Sequence, residues 1–115
     1  MKRVFVTFSK KGLHRYPAAV DLPGVEFLAN VHRHLFKFKV TIEVFHDDRD
    51  IEFLLFQDFC EKLFEGELNV DYKSCEMISN ELAANIQAKY PGRWLEIEVS
   101  EDGENGSIID YDAVL

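Results

Sequence analysis

The stretch HRHLFKFKVTIEV, residues 32–44, decides the fold. Its even positions are His32, His34, Phe36, Phe38, Val40, Ile42 and Val44; its odd positions are Arg33, Leu35, Lys37, Lys39, Thr41 and Glu43. Successive strand side chains point to opposite faces, so this near-perfect period of two predicts a half-buried antiparallel strand with one apolar face. His32 and His34 fall on that face, at its N-terminal end. Two imidazoles at i and i+2 share one side of a strand and lie close enough to share a metal.

Working toward the N-terminus, Arg3 to Phe8 is rich in Val and Phe and reads as a first strand. Between the two lies SKKGLHRYPAAVDLPGVEFLAN, residues 9–30, too long for a tight hairpin and broken by Gly12, Pro17, Pro23 and Gly24. Working toward the C-terminus, FHDDRD makes a turn in which Asp48 or Asp50 is placed to cap a helix from about Ile51 to Phe64, ended by Gly66. Phe56, Phe59, Cys60 and Leu63 fall at helical spacing and are expected to face the sheet. Ser74 is positioned to cap a second helix, Cys75 to about Lys89, with Ile78, Leu82, Ala83 and Ile86 on its apolar side and Tyr90-Pro91-Gly92 as its stop. Trp94 to Ser100 alternates again, DGENG is turn chemistry, and Ser107 to Tyr111 forms the last strand. The order β-β-α-α-β-β predicts an α+β domain spanning residues 1–115: a four-stranded antiparallel sheet with two helices on one face.

Composition narrows the function. The 115 residues carry 13 basic and 21 acidic side chains, a formal charge of −8. That balance disfavours sequence-independent binding to nucleic acid or to an anionic membrane. No uncharged stretch is long enough to span a bilayer, and MKRVFVTFSKKG lacks the apolar block of a signal peptide. With two cysteines, Cys60 and Cys75, expected as reduced thiols, the chain reads as cytoplasmic.

Three histidines and one glutamate carry the chemistry. His14 sits in the long connection returning toward residue 32, so that His14, His32 and His34 could close a three-histidine metal site with a fourth position open. Packing or surface exposure is the commoner role for a lone His-x-His; the third histidine is what strengthens the metal reading. His46 has the same parity but belongs to the turn at the far end, where solvation is expected. Glu101 continues the apolar parity of Leu95, Ile97 and Val99. Either the strand ends at Ser100 and Glu101 is solvated, or its carboxylate is held at a pocket floor, accepting a pair of N–H groups from a bound heterocycle. Cys60 reads as a small core residue. Cys75, in the first turn of a helix, has either a depressed thiol pKa or simply an N-terminal position.

These residues resemble the 6-pyruvoyl- and 6-carboxytetrahydropterin synthase family, of the tunnelling fold. The resemblance lies in Phe8…Leu13-His14-Arg15, in Val31-His32-Arg33-His34-Leu35-Phe36, in Asp58-Phe59, in Leu68-Asn69 and in Val99-Ser100-Glu101. It implies Zn2+ on His14, His32 and His34, and Glu101 gripping a pterin or purine-like ring. It further implies a homo-oligomer, a trimer or hexamer whose sheets close into a barrel. The departures are equally specific. Leu28 stands where the family has its catalytic cysteine, Phe64 and Glu65 where it has an Asp-His pair, and Arg33 replaces the glycine of His-Gly-His. The family's Pro-Thr-x-Glu segment has two imperfect matches, Lys73-Ser74-Cys75-Glu76 and Met77-Ile78-Ser79-Asn80. The resemblance, with these departures, thus implies a zinc-dependent lyase-like protein acting on a pterin of the dihydroneopterin triphosphate type, or alternatively a non-catalytic oligomeric binder of a pterin or guanine-type metabolite.

Overall fold

The computed structural model describes residues 1–64 and 68–114. Strand β1 (Lys2–His14) and strand β2 (His32–Val44) form a long antiparallel pair, in register from Lys2 opposite Val44 to His14 opposite His32. The first strand is therefore longer than the expected Arg3–Phe8. Lys10, Lys11 and Gly12 are poor strand formers, but β2 offers them a continuous partner, and pairing outweighs local propensity. His14 is consequently a strand residue directly facing His32, not a loop residue. What remains of the connection folds into two short 3-10 turns, Pro17–Asp21 and Glu26–Ala29. They are closed by a hydrogen bond from Tyr16 N–H to the Leu28 carbonyl at 2.6 Å.

Helix α1 spans Phe53–Lys62, shorter than the expected 51–64, and its cap is Glu52, whose carboxylate accepts the Leu55 N–H at 2.7 Å. Asp50 is engaged elsewhere, with Arg93 and the Phe45 N–H, and so is not available to cap. Gly66, the expected stop, lies outside the described residues, as does Glu65. A short strand β3 (Leu68–Asp71) follows; helix α2 (Cys75–Lys89) starts at Ser74, whose hydroxyl accepts the Met77 N–H. Strands β4 (Leu95–Glu101) and β5 (Asn105–Tyr111) form the closing hairpin.

The sheet order is β3-β1-β2-β4-β5. Four strands make the expected antiparallel sheet, and β3 adds a fifth, parallel to β1. Four residues are too few to show a period, which is why Leu68–Asp71 was not legible as a strand. The even residues of β2 form the spine of one continuous core. Phe36, Val40 and Ile42 are fully buried beside Leu95, Ile97 and Val99 of β4, and Phe56, Cys60, Ile78, Leu82, Ala83 and Ile86 cover them from the two helices. Phe59 and Leu63 are partly buried against the same cluster. Phe8 and Phe38 stack with ring centroids 4.6 Å apart, and Phe64 lies 5.2 Å from Phe38. Each such aromatic contact contributes about 0.5–1.5 kcal/mol beyond its buried area. Phe64 is thus partly buried against the core. The opposite sheet face is open, with Phe5, Lys37, Lys39 and Ile108 exposed. Among the described residues no helix is long and apolar enough to cross a membrane.

Candidate metal centre

The register of the sheet builds the site. Direct opposition on β1 and β2 sets His14 beside His32, and the two-residue spacing on β2 sets His34 on the same face. Each residue offers one ligand atom, and these three atoms all lie within 4.8 Å of one another. On the adjacent strand, Glu101 is paired with Phe36, one diagonal step from His34, within reach of a long side chain. Its Oε1 lies 3.5 Å from His14 Nδ1 and its Oε2 lies 3.3 Å from His34 Nε2. Glu101 is the last residue of β4, with a half-buried carboxylate, so the strand does not stop at Ser100. Phe36 forms the floor, its ring edge-on to both His14 and His34, and separates the cluster from the hydrocarbon core.

The nitrogens facing inward are unusual. His14 Nδ1, His32 Nε2 and His34 Nε2 are buried and have no hydrogen-bond partner; the two approaches of Glu101 do not meet hydrogen-bond geometry. A buried polar atom without a partner costs roughly 1–3 kcal/mol, so three on one spot call for a common explanation. The outer side of each ring is, by contrast, engaged. His32 Nδ1 lies 2.8 Å from the Asn30 carbonyl, His34 Nδ1 lies 2.8 Å from Asp102 Oδ2, and His14 hydrogen-bonds the Lys73 backbone. A ring that donates its outer N–H keeps its other nitrogen as a bare lone pair, the form a metal binds. Burial lowers the His14 pKa and the neighbouring His32 and His34 add to this, while Glu101 opposes them in part; the balance favours the neutral ring. The three histidines fit a metal ion by donor type, proximity and the lack of any other partner.

Asp102 is the residue that sequence reading missed. Its Oδ1 accepts the Leu35 N–H at 2.8 Å while Oδ2 takes His34, and its own N–H donates to the Leu35 carbonyl at 2.7 Å. These bonds hold its carboxyl below the usual aspartate range, the Leu35 N–H first and His34 next. It adopts φ of 59°, left-handed backbone that Asp tolerates better than most residues, and Gly103 follows at φ of 74°. Inside DGENG it reads only as turn chemistry; the signal was that an acidic turn residue directly follows a parity-breaking glutamate.

The cluster opens into a cavity of about 840 Å³, bounded by the first 3-10 turn, the start of α2 and the β4–β5 hairpin. Tyr16, Pro17 and Leu28 line one side; Tyr72, Ser74, Cys75, Glu76 and Met77 line the other, with His14, His32 and Glu101 between. Of the two candidate segments at the start of α2, Lys73-Ser74-Cys75-Glu76 supplies three cavity residues, Ser74, Cys75 and Glu76, and Met77-Ile78-Ser79-Asn80 supplies Met77 alone. Ser79 and Asn80 are instead tied to the Tyr111 hydroxyl at 2.8 and 2.7 Å. Cys75 does not carry an activated thiol: burial, then the charges of Glu101 and Glu76, push it up to about 11, against the helix-terminus effect. Cys60 is pushed up to about 12, chiefly by burial, as suits a core residue. His46 is exposed in the turn, 3.6 Å from Asp50, as expected. No family model matches the chain, and no curated protein matches it either.

Proposed function

We propose that the chain is a zinc-dependent protein of the tetrahydropterin synthase type, acting on a pterin of the dihydroneopterin triphosphate class. The observation that carries this reading is the set of three unpartnered histidine nitrogens, two of them on rings that line a cavity also lined by the Glu101 carboxylate. Three imidazoles suit zinc, and zinc bound there would act as a Lewis acid toward an oxygen of the ligand. The chain's own residues do the rest. His14, His32 and His34 hold the ion, Asp102 and the Asn30 carbonyl hold two of the rings in orientation, and Glu101 accepts paired N–H groups from the ring. Leu28 and Met77 offer apolar wall to a flat heterocycle. A homo-oligomer, trimer or hexamer, fits a sheet whose edge strand β5 is paired on one side only, and closure into a barrel would remove that edge.

A second reading is supported by one observation. Leu28, at the position of the family's cysteine, presents only hydrocarbon to the cavity, and Phe64, at the position of the dyad's aspartate, is stacked on Phe38. Neither can move a proton, which favours a binder that holds its pterin or guanine-type ligand without converting it. The discriminating experiment incubates zinc-loaded protein with dihydroneopterin triphosphate, follows the product, and titrates the same ligand calorimetrically into wild type and Glu101→Ala. Turnover supports the enzyme; binding lost in Glu101→Ala without turnover supports the binder. Neither turnover nor binding would refute both.

A further inference from the structure

We infer that Asn105 reads the amino end of the ligand ring, so that Glu101 and Asn105 together select a heterocycle whose amino group stands between a ring N–H and a bare ring nitrogen. This rests on the reading of Glu101 as the ring anchor and adds to it a specificity-determining residue and the class of ring. The β4–β5 hairpin sets the arrangement. Glu101 ends β4, Asn105 begins β5, and the two are direct cross-strand partners. Directly opposed residues send their side chains to the same face, with Cβ atoms about 4.5–5.5 Å apart. Both line the cavity. Among the described residues the Asn105 amide has no hydrogen-bond partner, the neighbouring Glu101 carboxylate included. The turn between them is held firmly. The Glu104 N–H donates to the Glu101 carbonyl at 3.1 Å, and Asp102 is tied to Leu35 through both its carboxylate and its own N–H. A Cβ added at Gly106 would strike the Val99 carbonyl oxygen and the Ser100 backbone, so glycine is what lets β5 run this close to β4.

The sheet order decides which end of the ring meets which group. Strand β2, with His32 and His34, lies on one side of Glu101; β5, with Asn105, lies on the other. A metal held by the histidines meets an oxygen of the ligand, so the oxygen-bearing end of the ring faces β2 and the amino end faces Asn105. An ionised carboxylate only accepts, and Glu101 takes the ring N–H and one amino hydrogen. A primary amide both accepts and donates. The Asn105 oxygen accepts the second amino hydrogen, and its NH2 donates to the bare ring nitrogen beyond the amino group. Asparagine reads the amino group and adjacent bare nitrogen of adenine by the same two-point pairing. Pterins and guanines carry the required N–C(NH2)–NH unit. A ring with oxygen in place of the amino group sets an acceptor against the Glu101 carboxylate and is rejected.

The test uses the full zinc-loaded chain and two probes, pterin and N2-methylpterin, in which a methyl group replaces one amino hydrogen. The ring N–H and the remaining amino hydrogen still serve Glu101, and the methyl group is directed at Asn105. Wild type is expected to bind N2-methylpterin roughly tenfold less tightly than pterin. Asn105→Ala is expected to lower pterin affinity by roughly fivefold to tenfold and to bring the two probes within about twofold of each other, because the methyl group then has room. Asn105→Asp keeps the size of the side chain, loses the N–H donor, and is expected to weaken pterin binding as well. Unchanged zinc stoichiometry and circular dichroism in both variants separate lost recognition from lost structure. Wild-type pterin affinity in both variants, or an unaltered preference for pterin in Asn105→Ala, would overturn this inference; binding still lost in Glu101→Ala would leave the anchor standing. A wild type that binds no pterin would overturn both.

Discussion

The two ends of the β1–β2 pair are built from the same kinds of side chain and reach opposite results. At the C-terminal end of β2, Arg93 donates to both oxygens of Asp50, at 2.9 and 3.3 Å, and to the Glu43 carbonyl at 3.0 Å. Asp50 also accepts the Phe45 N–H, Glu43 accepts the Trp94 N–H, and the Arg93 guanidinium lies 4.7 Å from the centre of the Phe45 ring. Charges there are matched and hydrogen-bonded. At the N-terminal end three histidines are brought together with their inner nitrogens unmatched. Asp102 is engaged with the outer rim of that cluster and adds nothing to its centre. The first end behaves as a clasp that holds the chain together. The second gathers three buried donors that could hold a metal ion.

Substitutions separate the two ends, and the largest effect is expected at the histidines. His32→Ala or His34→Ala should abolish metal uptake at stoichiometric concentration, measured by elemental analysis after gel filtration. Because each removes an unsatisfied buried nitrogen together with the ring's outer hydrogen bond, melting in the presence of chelator should change little. A marked loss of stability in chelator would mean that these rings are packed for their own sake.

At the clasp the pattern should invert. Arg93→Ala is expected to lower Tm by roughly 5 °C or more and to leave metal stoichiometry unchanged. The pH dependence has a definite sign. Arg93 foremost, then the Phe45 N–H, hold the Asp50 carboxyl at about 2, below its ordinary 3.8. Its contribution is therefore fully present above pH 3.8 and is lost as the pH falls toward 2. Asp50→Asn should flatten the acid limb of the stability curve across that window, followed by fluorescence of Trp94. An unaltered acid limb would show that the clasp is not an acid-sensitive element.

Asp102→Asn sharpens the comparison, because it acts on the metal only through His34. One amide oxygen cannot serve both the Leu35 N–H and the His34 ring as the two carboxylate oxygens do. Metal affinity should fall by roughly 10–100-fold with stoichiometry retained at saturation. The smallest effect is expected at Ser74→Ala, which removes the cap of α2 at the cavity rim and should cost about 1 kcal/mol of stability, measured by denaturant titration. Its metal affinity should match that of wild type.

How much was legible in the sequence follows from which residues carry periodic information. The even parity of residues 32–44 located the core face and both β2 histidines. The same parity in β4 left Glu101 either solvated beyond the strand or turned inward, and its pairing with Phe36 and half-buried carboxylate put it on the histidine face. What was not legible depends on partners distant in sequence. Ser9–His14 became strand because β2 was there to pair with it, and that pairing brought His14 to His32 by register and not through a returning loop. Strand β3 exists by pairing with β1, and the Glu52 cap prevailed because Arg93 had claimed Asp50. Asp102 looked like turn chemistry, and only its position across from Leu35 reveals what it holds.

The most direct measurement is a calorimetric titration of chelator-stripped protein with zinc, beside a His14→Ala control. About one ion bound per chain, with binding lost in the control, is the predicted result. No binding by wild type, or equal binding by His14→Ala, would contradict the claim that the three converging nitrogens form a metal centre.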